Sequence, residues 1–103
     1  MKTSIYIAGP MTGLPDFNYP AFHKAKEILE AKGFIVRSPA DVPIQDSVED
    51  YMRIDIPLLC SCNCTLFLPG WENSKGANIE RLISIAIGNQ LYKMIDDEIF
   101  MDE

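Results

Sequence analysis

Long hydrophobic runs are missing from this chain of 103 residues: no stretch approaches the ~20 consecutive apolar residues that cross a bilayer. That argues against a membrane-embedded protein. Positive charge is scarce as well, with nine Lys and Arg against 15 Asp and Glu and a net charge of -6. The few basic residues are scattered rather than gathered in a stripe, so a phosphate polymer would be repelled and nucleic-acid binding is not expected. Cysteine is limited to Cys60, Cys62 and Cys64. An odd, closely spaced set is poorly suited to a disulfide framework, and Cys-x-Cys-x-Cys lacks the paired spacing and fourth ligand of a zinc site. They are expected to be small apolar fillers at a helix end and a strand start, with no metal. The one histidine, His23, is expected on a solvent-facing side of the first helix, without a role. Neither a dinucleotide fingerprint nor the Lys-Ser/Thr ending of a P-loop occurs, which disfavours an NAD enzyme or an ATPase. The start of the chain carries no long apolar stretch with a small-residue cleavage site, and a cytoplasmic protein is expected. At this length one domain is available, taken as residues 1–95 with an acidic tail at 96–103.

Apolar periodicity supplies the elements. Thr3–Ala8 is rich in β-branched and aromatic residues and stops at Gly9-Pro10, as a buried first strand should. After a loop from Gly9 to Asn18, the residues Phe22, Ala25, Ile28, Leu29 and Ala31 recur at helical spacing over Tyr19–Lys32, with Asn18 as N-cap, Pro20 in the first turn and Gly33 past the end. Phe34–Arg37 reads as a second strand. A second helix is expected from near Val48, capped by Asp46 or Ser47, with Tyr51, Met52, Leu58 and Leu59 toward the core. Pro57 predicts a kink or fresh start near Ile54–Ile56. Cys64–Leu68 is a third, wholly apolar strand. The next helix runs from about Gly76 to Gly88 with Ile79, Leu82, Ile83, Ala86 and Ile87 on one face, and Leu91–Ile95 is a fourth strand. Strand and helix alternate, which predicts a parallel sheet. The tail, with Ile99 and Phe100 set among acidic residues, is expected as a short helix or frayed end, or else as a segment docked on a partner subunit.

The segment from Leu66 to Glu80 is the most informative: an apolar strand runs into a polar loop that opens a helix carrying a carboxylate. Ligands of open α/β sheets bind just beyond the carboxyl ends of the strands, so Ser74, Gly76 and Glu80 read as part of a site. A glutamate early in a helix is commonly only a solvated helix former. Its company here favours more, since successive amides of the Ser74–Gly76 loop can face an anion at the helix N-terminus. Lys75 could add a point charge, although a surface lysine is the commoner case. Asp55, beside the helix-breaking Pro57, is a second candidate. Two carboxyls on separate elements converging on one pocket would suit displacement at an anomeric carbon, one attacking and the other handling the leaving group's proton. The loop Gly9, Pro10, Met11, Thr12, Gly13 to Asn18 follows the first strand, and Phe17, Tyr19 and Trp71 lie in or beside loops at the same edge, where an aromatic ring can stack on a nucleobase or merely cover the core.

Ile5–Gly13 (IYIAGPMTG) and Leu68–Ser74 (LPGWENS) together resemble an uncharacterised family of small bacterial and phage proteins within the nucleoside 2-deoxyribosyltransferase-like superfamily, which also holds 2′-deoxynucleoside 5′-phosphate N-hydrolases. The close resemblance covers nearly the whole chain. It implies a flavodoxin-like (Rossmann-like) three-layer α/β sandwich with a mainly parallel sheet of four to five strands. The Ser74-x-Gly76-x-x-x-Glu80 pattern is similar to the hydrolases' phosphate-binding serine and glycine and their nucleophile. The resemblance therefore implies Glu80 as nucleophile, Asp55 as proton donor to the base, Tyr6 as the first-strand tyrosine, and Gly9, Pro10, Met11, Thr12, Gly13, Phe17, Asn18 and Trp71 around sugar and base. It further implies a small nucleoside or nucleotide as partner, no cofactor, and a homodimer or higher homo-oligomer. Two departures stand out: Asn63 where relatives often carry aspartate, and a loop enlarged by Pro69–Asn73. The alternative is a non-catalytic nucleotide-binding or sensor module of the same fold.

Overall fold

Ile5, Tyr6, Ile7 and Ala8 are all fully buried, the condition of a strand covered on both faces, and they form an interior strand of the sheet. The computed structural model describes residues 2–102. Its elements follow as β1 (Ser4–Ala8), α1 (Tyr19–Ala31), β2 (Ile35–Arg37), α2 (Val48–Cys60), β3 (Cys64–Phe67), α3 (Lys75–Ala86), β4 (Gln90–Ile95) and β5 (Glu98–Met101). The strand order is β2-β1-β3-β4-β5. β1 pairs in parallel with both β2 and β3, β3 pairs in parallel with β4, and β5 runs antiparallel to β4. This is the flavodoxin-like, mainly parallel five-stranded architecture, and the chain changes direction across the sheet between β1 and β3, where such folds open a crevice.

Alternation along β1 divides the core into two layers. Ile5 and Ile7 join Phe22, Ala25 and Leu29 of α1 on one face. Tyr6 and Ala8 point to the other, against Leu59 of α2 and Ala77 of α3. Successive residues of a strand face opposite sides, so Tyr6 is committed to the layer that also carries Asp55 and Glu80. Of the two cap candidates for α2 it is Ser47 whose Oγ accepts from the Asp50 amide, at 3.1 Å, and α3 is capped by Ser74 Oγ, which accepts from the Ala77 amide at 3.2 Å.

Four expectations need correction. Asn18 precedes α1, but its side chain makes no cap; it sits in the left-handed region with φ 61° and donates to the Pro10 carbonyl at 3.0 Å, closing the first loop. α2 runs on through Pro57 as one helix without a fresh start, since proline deletes a single amide donor and Pro57 itself lies exposed. The tail is neither helix nor frayed end. Asp96 and Asp97, at φ 50° and 64°, make the left-handed turn that suits a two-residue hairpin, and Glu98–Met101 pairs with β4. Finally, α3 turns a different face inward. Ala77, Glu80 and Ser84 are buried, whereas Leu82 is 71% and Ile85 55% exposed, with Ile87 also in solvent. Small residues let this helix approach the sheet closely, and Ser84 joins Thr65 of β3 by a 2.8 Å hydroxyl contact while donating to the Glu80 carbonyl at 2.7 Å. That close approach draws the Glu80 side chain into the interior.

The cysteines divide: Cys62 and Cys64 are buried fillers, while Cys60 is exposed. His23 is exposed as expected. No helix among the described residues is long and apolar enough to cross a membrane.

Candidate active site

Three polar side chains from three elements meet beneath the crevice. Tyr6 leaves the middle of β1 and donates its hydroxyl to Glu80 Oε2 at 2.5 Å. Glu80 is 5% exposed and Asp55, from α2, 6% exposed. Burial dominates their acid-base behaviour. It pushes Glu80 up to about 8, with the neighbouring Asp55 charge adding to the rise and the Tyr6 hydroxyl opposing it. Burial likewise pushes Asp55 up to about 6. The Tyr6 phenol is driven well above its ordinary value, by burial first and then by the Glu80 and Asp55 charges, so it remains a donor. A charged carboxylate in such a setting lacks the solvation that water would supply. Asp55 Oδ1 is buried without a hydrogen-bond partner among the described residues, an acceptor left open toward whatever enters.

A cavity of about 340 Å³ opens over this group and falls in the size range of small-molecule sites. Of the residues singled out from sequence, Tyr6, Gly9, Met11, Thr12, Phe17, Asp55, Ser74, Gly76 and Glu80 line it. Gly9 has a packing reason as well, because a Cβ there would stand 2.9 Å from Leu68 Cβ. Phe17 reaches the cavity from three consecutive left-handed residues, Asp16, Phe17 and Asn18, at φ 52°, 51° and 61°. Non-glycine residues rarely adopt that conformation, and it is concentrated where a loop must aim a side chain.

Pro10, Gly13, Asn18 and Trp71 are not brought to this cavity. Pro10 packs beside Gly70, Gly13 makes a positive-φ turn, and Asn18 ties the loop together from behind. Trp71 lies over Phe67 with ring centroids 5.2 Å apart and under the Arg81 guanidinium at 5.0 Å, facing a separate groove beside Lys93 and Asp96. Arg81 in turn pairs with Asp102 at 2.9 Å, which fastens the chain end to the helix bearing Glu80.

Tyr19, also named from sequence as a ring at this edge, lines the cavity too, and the wall missed from sequence is the segment Pro39, Gln45, Asp46, Ser47 and Val48, together with Tyr51, Met52 and Ala77. Two signals pointed there. The segment follows the carboxyl end of β2, the same rim of the sheet, and Tyr51, Met52 and Asp55 share one face of α2 at helical spacing. No cluster of three or more His, Cys, Asp or Glu suited to a metal occurs among the described residues. Chemically, the group offers a carboxyl oriented by a phenol, a second carboxyl across the same space, and an apolar approach.

Comparison with known proteins adds a family and a fold. A family model described as a domain of unknown function (DUF4406) matches residues 3–93. No curated protein matches. Among solved structures, a 2-deoxyribosyltransferase from the psychrotolerant bacterium Bacillus psychrosaccharolyticus superimposes with a TM-score of 0.70 at 21% identity, covering 87% of this chain and 70% of its own. At that identity the likeness establishes a shared fold.

Proposed function

This chain belongs to the DUF4406 family, and from that premise we propose that it is a cytoplasmic enzyme that cleaves or exchanges the N-glycosidic bond of a deoxynucleoside or its 5′-monophosphate. The observation that carries the reading is the convergence of Tyr6, Asp55 and Glu80 on one cavity. The shared fold with a 2-deoxyribosyltransferase supports it. In this reaction ionised Glu80 attacks C1′ of the sugar as the bond from C1′ to the base nitrogen breaks, and Asp55 delivers a proton to the departing base. Tyr6 holds the attacking oxygen in line. The resulting glycosyl ester is opened by water in a hydrolase or by a second base in a transferase.

The two carboxyls behave as a pair. Burial raises both, Glu80 to about 8 and Asp55 to about 6, so near neutral pH the pair holds one proton, and reaction requires it on Asp55. Either form gives a bell-shaped dependence on pH, with limbs that belong to the pair. Incubation with each deoxynucleoside and each 5′-monophosphate, followed by chromatography of free base, is expected to reveal release that is highest between those limbs. Absence of release from all of them removes the proposal.

A second reading, a non-catalytic nucleotide-binding module, is favoured by the burial of the would-be nucleophile, which raises its hold on its proton. It predicts binding without release in the same incubations.

A homo-oligomer is part of the proposal. The outward Leu82 and Ile85 of α3, with Ile87 at its end, support a contact between copies, because apolar side chains clustered on one helix face gain from being covered. Light scattering is expected to give a multiple of 11.6 kDa, and Ile85→Lys to lower it. A monomeric wild-type protein refutes this assembly.

A further inference from the structure

The lining of the cavity carries three acidic side chains, Asp46, Asp55 and Glu80, and no Lys, Arg or His among the described residues. Sites that hold a phosphate normally set a guanidinium or ammonium against it. The helix N-terminus offers only backbone amides for that part: the Ala77 amide is taken up by Ser74 Oγ at 3.2 Å and the Ser74 amide by the Trp71 carbonyl at 2.9 Å, which leaves the Lys75 and Gly76 amides as neutral donors to set against an anion. Lys75 is exposed and absent from the lining. What remains suits an uncharged heterocycle with hydrogen-bond donors: rings of Phe17, Tyr19 and Tyr51, thioethers of Met11 and Met52, and the unpartnered Asp55 Oδ1 awaiting an N–H or O–H.

Resting on the reading above, we propose that this cavity selects the unphosphorylated nucleoside over its 5′-monophosphate. Linkage gives the same sign. Glu80 must lose its proton to attack, and burial already resists that loss. A phosphate dianion bound nearby would raise the resistance further, because a like charge disfavours ionisation. A neutral nucleoside imposes no such penalty and, by expelling water without adding charge, leaves the Tyr6 hydroxyl as the principal partner of the nascent carboxylate.

The test compares 2′-deoxyadenosine, 2′-deoxyguanosine, 2′-deoxycytidine and thymidine with their four 5′-monophosphates on the wild-type protein. Both kcat/KM for base release and calorimetric binding are measured in phosphate-free buffer. At least one nucleoside is expected to exceed its own monophosphate by tenfold or more in kcat/KM. Equal or better turnover of the monophosphates overturns the selectivity and leaves the glycosidic reaction standing. If none of the eight releases base, the reaction falls instead, and the selectivity is decided by binding. Tenfold tighter nucleoside binding sustains it. Equal affinity, tighter monophosphate binding or no binding of either overturns it.

Discussion

Glu80→Gln is expected to lower base release by at least about 1,000-fold, the scale on which enzymes lose rate when a nucleophile is removed, while leaving the protein folded. Glutamine matches glutamate in volume, and its carbonyl oxygen can accept the Tyr6 hydroxyl as Glu80 Oε2 does. Burial already favours an uncharged group at this position, so the amide satisfies the surroundings without the ability to attack carbon. Mass spectrometry of wild-type protein incubated with a 2-fluorinated sugar analogue should find the sugar on the α3 peptide and nowhere else, and the variant should stay unlabelled. A Gln variant that turns over at the wild-type rate would eliminate the glycosyl-ester mechanism.

The same burial predicts that the fold is strongest in mild acid. Asp55 and Glu80 both hold their protons to a higher pH when folded, to about 6 and about 8, than an unfolded chain would, where carboxyls titrate near 4. Over that window the native state binds more protons than the unfolded state, so stability falls as pH rises and levels out above the upper limit. Each such proton contributes a slope of at most about 1.4 kcal/mol per pH unit. Urea midpoints are expected to decline from pH 5 through 6.5 to 8, and Glu80→Gln to flatten the decline above pH 6. A midpoint that climbs over this range would mean that the carboxyls are ionised and solvated in the native state.

Local rules were enough for much of this architecture. The β-branched run ending at Gly9-Pro10 marked β1, and Ser47 announced a helix start that the backbone confirms. Period-3.6 reasoning failed on α3 because it takes the largest apolar residues as the inner face. The sheet instead accepts Ala77 and Ser84, whose small size permits close approach, and the hydroxyl of Thr65 makes a buried polar contact that a hydropathy pattern does not encode. The tail was hidden for a related reason. Its acidity reads as solvated, yet Asp96 and Asp97 are among the residues that tolerate a left-handed turn, and the strand behind them lies at the edge of the sheet with only Ile99 half-buried. Trp71 shows the limit of reading loops as sites, since Arg81 and Phe67 were better partners for its ring than the cavity. The convergence of Tyr6, Asp55 and Glu80 depended on strand register, which spacing along the chain does not contain.

The place of β1 between β2 and β3 governs when activity can first exist. Ile5 pairs with Cys64 and Ala8 with Phe67, partners separated by more than half the chain, and closure of so long a loop is entropically slow. During synthesis β1 is made before β3 and stays without that neighbour until Cys64–Phe67 has followed. Tyr6 is therefore expected to meet Glu80 only after β1 has paired with β3, so in refolding experiments recovery of turnover should trail recovery of helical signal, and amino-terminal fragments ending before α3 should be inert.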